Sequence, residues 1–266
     1  MIFESTKAPR STGGVTYSNA LGLLGRSLGL VLALLVCPLR SEAVSASVLV
    51  ASVSGKVKVL SIEDEFEVTL GKEFLGREIS LNSVVTTGAD GAAALLFSNG
   101  VVVNLQSNSR LYLRKFVQVE FSADEIDLAD FEKEPSTSQL EMHLDFGDLV
   151  VKAPKLARGS SVRLTSPIGT AGIRGTIFQV VVARDAQTGA ISGGVNLLSG
   201  ELEFTDLSGD VTSLASGEGM QFTSNRLGAQ VSAVAGEIMD LVNRYVTPAP
   251  PWHRDVRLPG EAPLVP

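Results

Sequence analysis

Residues 163–182 read RLTSPIGTAGIRGTIFQVVV: three glycines, Gly169, Gly172 and Gly175, sit three apart and run straight into an apolar stretch. Glycine makes the backbone permissive at each of those places, while Pro167 fixes φ just ahead of them and removes one N–H donor. Residues 177–182 are β-branched or aromatic apart from Gln179. A glycine loop that cradles phosphate has to open a helix, so that its N–H groups and dipole point at the anion. This one opens a strand. Pro167, Gly169, Gly172 and Gly175 are therefore read as structural turn residues in β structure, and a nucleotide site is set aside.

Working outward, the period of two that marks half-buried strands runs from Ser47 to about Phe222. Val101, Val103 and Leu105 share one face, and Leu140, Met142, Leu144 and Phe146 alternate with Glu141, His143 and Asp145. Leu202 and Phe204 alternate with Glu201, Glu203 and Thr205. Turn signals part these runs, the strongest being Asn99-Gly100 between two hydrophobic segments. A looser echo links Gly55-Lys56-Val57-Lys58-Val59, Gly147-Asp148-Leu149-Val150-Val151 and Gly200-Glu201-Leu202-Glu203-Phe204, each a glycine with apolar residues two and four places on. The spacings, 92 and 53 residues, are unequal, so this is reuse of one strand start and not a short-period array. The fold expected is all-β, solenoid-like or sandwich-like, over residues 47–225.

Two segments break the β pattern. Residues 122–139, SADEIDLADFEKEPSTSQ, are acidic and then rich in Ser, Thr and Pro, and read as a solvated acidic loop. They lack the D-x-[DN]-x-[DN]-G spacing of a calcium loop. Near the C-terminus, Val231, Val234, Ile238, Leu241, Val242 and Tyr245 form one stripe of an amphipathic helix, expected over residues 226–247 and packing back on the β domain. Residues 248–266 are proline-rich and expected to be disordered.

Charge and the N-terminus bound the partners. The chain has 266 residues and a formal charge of −7. Beyond residue 46 there are 18 basic against 27 acidic side chains, a net charge of −9, which repels a phosphate backbone and argues against nucleic acid. Residues 28–36, LGLVLALLV, follow Arg26 and precede Val44-Ser45-Ala46, the layout of an export signal with cleavage near Ala46. A retained membrane anchor is the alternative, but a span needs roughly 20 apolar residues and Arg26, Pro38 and Arg40 cut this one short. The single cysteine, Cys37, lies inside the signal, and the bulky Val36 before it argues against a lipid-modified N-terminus. The expectation is a periplasmic or secreted protein, cysteine-free once cleaved and not inserted in a membrane.

The search for chemistry excludes more than it finds. His143 stands on the polar side of a strand between Glu141 and Asp145, and His253 falls in the proline-rich tail. No G-x-S-x-G elbow occurs, and two histidines with no cysteine make no zinc site. No catalytic residue, metal ligand or cofactor is assigned, although two carboxylates brought together by the fold would serve a glycosidase. Arg174, inside the GIRGT corner with apolar neighbours, is the one charged residue singled out. It either offers a guanidinium to a carboxylate ligand or forms a structural ion pair with Asp148 or Glu201.

The residues that carry a family resemblance come in order. Gly71 leads to Leu81-Asn82-Ser83-Val84-Val85-Thr86-Thr87-Gly88 and Ala93-Ala94-Leu95-Leu96-Phe97-Ser98-Asn99-Gly100. Then come Val103-Asn104-Leu105-Gln106-Ser107-Asn108-Ser109-Arg110-Leu111, Gly147-Asp148-Leu149, Thr165-Ser166-Pro167 and Gly172-Ile173-Arg174-Gly175-Thr176. Over roughly residues 48–222 the chain resembles the FecR domain family, the periplasmic sensory module of bacterial iron-uptake signalling proteins and its stand-alone relatives. The resemblance implies an all-β module used for binding rather than catalysis. It also implies, in the signalling members, a cytoplasmic anti-sigma domain ahead of a membrane helix, for which 46 residues are too short. The function expected is that of an exported, non-enzymatic binding or scaffolding protein whose partner is an envelope protein or glycan. A periplasmic sensor component working with a separate anti-sigma protein is the alternative, and an enzyme acting on cell-wall glycan a third reading.

Overall fold

Alternating apolar and polar residues with β-branched enrichment build sixteen strands in the computed structural model, which describes residues 43–44, 46–122, 132–223, 230–233 and 236. In chain order they begin with β1 Ala43–Val44, β2 Val48–Ser54, β3 Val57–Ser61, β4 Phe66–Leu70, β5 Ser83–Thr87, β6 Ala92–Phe97, β7 Val102–Leu105 and β8 Arg110–Gln118. They continue with β9 Phe121–Ser122, β10 Ser138–Lys152, β11 Ser161–Ser166, β12 Gly169–Arg184, β13 Ile191–Asp206, β14 Val211–Ala215, β15 Glu218–Thr223 and β16 Gln230–Ala233. The expected all-β class is what forms. Residues 1–42, the acidic stretch 123–131, all but Gly236 of the helix expected after residue 233, and the tail from 248 lie outside the described residues.

Apart from the short β1–β9 pair, all strands belong to one hydrogen-bonded network. The pairings divide it into two layers. In the first, the order is β4-β3-β5-β8, the first half of β10, then β11, the first half of β12, the second half of β13, and β14. In the second it is β2-β6-β7, the second half of β10, the second half of β12, the first half of β13, then β15 and β16. Their inner faces share a single apolar core, and rings meet across it: Phe97 of the second layer stands edge-on to Phe116 of the first at 5.4 Å. Each fully buried Val, Leu or Phe there contributes about 1.5–3 kcal/mol.

The three longest strands each cross from one layer to the other, and each crosses at a glycine with positive φ: Gly147 at +110°, Gly175 at +63° and Gly200 at +92°. The crossing flips the inward parity. In β10 the residues that join the shared core are Leu140, Met142 and Leu144 before Gly147, but Leu149 and Val151 after it. In β12 they are Ala171 and Ile173, then Phe178, Val180 and Val182. Register shifts mark both places, between Leu144 and Phe146 and between Arg174 and Phe178. Phe146 thus leaves the inward set that strict alternation assigned it to, because a strand that changes layer must turn its other face to the same core. The three-part glycine echo has its explanation here too. Gly55, Gly147 and Gly200 each mark a passage between layers, from β2 to β3 and within β10 and β13.

Several expectations are corrected. Pro167 does sit in the turn between β11 and β12, with Gly169 at φ +148° starting β12 against Phe204. Gly172, however, is no turn: it lies mid-strand, paired with Arg163 and Glu203, and has no positive φ. The solvated acidic loop does not extend to residue 139. Strand β10 starts at Ser138, and Glu134 is buried. One Glu134 oxygen accepts from Ser138 Oγ and the other from the Ala157 N–H at 2.7 Å, which ties this segment into the fold. Finally, Gln230–Ala233 is a strand at the edge of the second layer, so Val231 does not belong to a helix.

Candidate functional site

The outer face of the first layer holds an open groove of about 1330 Å³ beside the β12 crossing. Its floor follows from register. Arg163 on β11, Gly172 on β12, Glu203 on β13 and Ser213 on β14 stand side by side across four strands. Gly172 brings no side chain to that row, leaving a gap between Arg163 and Glu203. A Cβ there would meet nothing nearer than the Glu203 carbonyl oxygen at 3.7 Å, so packing does not demand a glycine at this place. Its effect is to keep the floor low.

The rim is charged with both signs. Lys152, Lys155, Arg163 and Arg174 face Glu132, Glu201, Glu203 and Glu218 around the same groove. Arg174 is directly opposite Glu201 in the β12–β13 register, one of the two partners expected for it. Yet its side chain is exposed and, among the described residues, it makes no ion pair or side-chain hydrogen bond. The other expected partner, Asp148, points elsewhere: both its carboxylate oxygens accept from Gln179 Nε2 at 2.9 Å. Arg174 is therefore a free guanidinium at the groove and not a lock on the turn, consistent with the crossing being held by backbone geometry alone.

Asp148, Gln179 and Asn196 form a polar chain on the outer face of the second layer, with Asn196 Nδ2 donating to Gln179 Oε1 at 3.2 Å. Gln179, the lone polar residue in its apolar run, was the only sequence signal for this chain. Burial pushes the Asp148 carboxyl above its ordinary value of 3.8, and the Gln179 hydrogen bond partly offsets this. A raised folded pKa contributes stability that is fully present below the ordinary value and lost as pH rises through the folded one. Asp148→Asn mimics the protonated form, so urea unfolding of the two proteins should give similar stabilities near pH 3 and an increasing advantage to the variant towards pH 7. An advantage that shrank as pH rose would contradict the assignment.

His143 occupies a separate spot on the first layer's outer face. Thr165 Oγ1 donates to the Met142 carbonyl oxygen at 3.1 Å, which leaves it to accept from His143 Nδ1 at 2.9 Å. The Tyr112 ring lies edge-on at 5.9 Å, with the Arg110 guanidinium 5.2 Å over the tyrosine. Partial burial, followed by the nearby Arg114 charge, holds the imidazole below its ordinary range, against the pull of Asp145. The exposed, carboxylate-flanked histidine of the sequence reading is in fact half-buried and hydrogen-bonded. Among the described residues, no three His, Cys, Asp or Glu side chains converge as metal ligands, and no helix is long and apolar enough to cross a membrane.

Residues 83–203 match the family model described as FecR protein, and the chain carries a FecR domain over that range. No curated protein matches the chain. Two solved structures are similar to it, both crystal structures of a proposed anti-sigma factor from Parabacteroides distasonis ATCC 8503, at 1.65 and 2.50 Å resolution. They are 13% and 11% identical to this chain, with TM-scores of 0.43 and 0.42. Each similarity covers 59% of this chain and 62% of that one, so the chain spans somewhat under two thirds of the length of these structures.

Proposed function

We propose that this chain is an exported, non-enzymatic binding protein that holds an extended segment of another envelope protein in the groove at the β12 crossing. The observation that carries this reading is the open floor at Gly172 beside the unpaired Arg174. A guanidinium free of intramolecular partners is ready to take a carboxylate bidentately. The rim carries four cations and four anions, which complements a polypeptide bearing both signs better than a polyanion. Aromatic side chains, on which sugar rings pack, are missing from the described lining, so a protein partner is favoured over a glycan.

The FecR match supports a narrower form of the same reading, in which the chain is a sensor component of trans-envelope signalling that acts with a separate anti-sigma protein. Export with cleavage near Ala46 is part of the proposal, and N-terminal sequencing of the mature protein tests it. Retention of residues 1–46 in an integral membrane form would overturn it.

The groove is tested with Gly172→Leu, which fills the floor, and Arg174→Glu, which reverses the free charge. Both positions are exposed, so both variants should unfold within about 0.5 kcal/mol of the native chain. Each should reduce retention of the envelope partner on the immobilised full chain by about tenfold or more, equivalent to about 1.4 kcal/mol. Undiminished retention by both variants would remove the groove from the binding surface. Release of cell-wall glycan by the purified chain would overturn the non-enzymatic reading.

A further inference from the structure

Unpaired N–H and C=O groups along the outermost strand of a sheet are ready to pair with another chain, so folded proteins cover or blunt such edges. The edges of this fold are treated differently. Along β2 the chain closes its own edge: the Val50 N–H donates to the Arg77 carbonyl oxygen at 3.0 Å, and the Val50 and Val48 carbonyl oxygens accept from the Gly76 and Ile79 N–H groups, each at 2.9 Å. β4, one edge of the first layer, carries a charge mid-strand, Glu67, which pairs with Lys58 of β3. β14, the other edge of that layer, has neither device. It reads Val211-Thr212-Ser213-Leu214-Ala215, without charge or proline, and runs against β13 with no register shift.

Parity shows which backbone groups of β14 are free. The hairpin closes with the Asp206 N–H donating to the Asp210 carbonyl oxygen at 3.0 Å. Hydrogen-bonded pairs then recur at every second residue, Phe204 with Thr212 and Leu202 with Leu214. Val211, Ser213 and Ala215 therefore turn their N–H and C=O groups away from β13. The Ala215 N–H uses that direction already, donating to a Glu218 carboxylate oxygen at 2.8 Å. The outward groups of Val211 and Ser213 have no partner among the described residues. Apolar surface lies beside them: Val211 is 63% exposed and Leu207, in the adjoining turn, 77%.

We propose that β14 takes up an extended, lysine- or arginine-bearing segment of another protein as an added strand. Main-chain bonds to Val211 and Ser213 hold it, and its apolar side chains pack on Val211 and Leu207. Charge selects this occupant. Residues 201–223 carry Glu201, Glu203, Asp206, Asp210 and Glu218 and no lysine or arginine. A basic segment is drawn to such an edge, whereas a second copy would bring the same carboxylates against themselves. β14 itself is uncharged, so the acids set the sign of the partner without obstructing the pairing. Val211 and Leu207 lie outside the groove at the β12 crossing, and the edge is a binding surface whether or not that groove is one.

The probe is the fluorophore-labelled synthetic peptide RTVTVRT, followed by anisotropy on the full chain. It should bind about tenfold or more tightly than ETVTVET, and the preference should shrink as salt is added. Val211→Pro removes an outward N–H at the first residue of an edge strand, where proline is tolerated, and Val211→Lys sets a like charge beside the basic peptide. Each should weaken RTVTVRT by about tenfold. Hydrogen exchange, read amide by amide on the native chain, needs no variant: bound peptide should slow exchange at Val211 and Ser213 by about tenfold or more. Equal affinity for the two peptides, or unprotected Val211 and Ser213 amides with RTVTVRT bound, overturns the proposal. So does a dimer of the chain alone that Val211→Lys dissociates, which would make a second copy the occupant.

Discussion

Gly147→Val is expected to remove about 2–6 kcal/mol of folding free energy, a large part of the roughly 5–15 kcal/mol net stability of a domain. Gly147 has φ +110°, a backbone conformation that a β-branched residue adopts only under strain of about 1–3 kcal/mol. A Cβ there would also run into the backbone and side chain of Ser109, and such overpacking costs about 1–3 kcal/mol more. Ser109 cannot withdraw freely. Its hydroxyl accepts from the Asp148 N–H at 3.0 Å and donates to the Asp148 carbonyl oxygen at 3.3 Å, and its own N–H donates to Thr87 Oγ1 at 2.9 Å. The substitution therefore breaks the seam between β5, β8 and β10 where the chain changes layer.

Three glycine controls separate crowding from conformation. Gly209→Ala also sits at positive φ but has nothing within 4 Å, so it should lose only about 1–2 kcal/mol. Gly175→Ala, at φ +63° with Lys155 Cα 3.4 Å away, should behave similarly despite its place in the GIRGT corner. Gly172→Ala should be neutral within about 0.5 kcal/mol. Urea unfolding of the four variants gives the order, and a Gly147 variant no worse than Gly209→Ala would show that the crossing tolerates a side chain.

Glu134→Ala should lose about 2–4 kcal/mol, far more than an acidic residue in a surface segment normally would. The carboxylate accepts from Ser138 Oγ and from the Ala157 N–H, and Ser138 Oγ in turn accepts from Asn99 Nδ2 at 2.9 Å. Asn99, fully buried, holds the β6–β7 turn by accepting the Val101 N–H at 3.1 Å. Truncating Glu134 thus strands buried donors on two sides and loosens a network joining three separate parts of the chain. Glu134→Gln keeps one acceptor oxygen and should fall between. Glu63→Ala, an exposed acid in the β3–β4 turn, should change stability by no more than about 0.5 kcal/mol. If thermal or urea unfolding placed Glu134→Ala beside Glu63→Ala, the hydrogen bonds would be shown to contribute little.

Local patterning made much of the architecture legible. The alternation of Val101, Val103 and Leu105 and that of Leu140, Met142 and Leu144 predicted inward faces that the structure buries, because parity along a strand is a purely local property. Asn99-Gly100 predicted its hairpin, with Gly100 at φ +86°. The isolation of Arg174 was not legible: whether Glu201 reaches it depends on side-chain placement across two strands, and proximity in register did not produce a pair. The groove itself had no sequence signature, since Arg163, Gly172 and Glu203 are neighbours only through two strand pairings.

By itself, the sequence determined that the chain is all-β, that the GTAGIRGT run opens a strand, and that the module resembles FecR domains. Those properties rest on period, turn chemistry and ordered motifs, all encoded within a few residues. Only the tertiary structure decided what each glycine does: Gly175 turns the strand from one layer into the other, Gly169 fits against Phe204, and Gly172 clears a groove floor. Glycine at a given place records that a side chain is missing. Whether that absence serves φ, packing or access is set by what lies across the neighbouring strand, and that is fixed by long-range pairing.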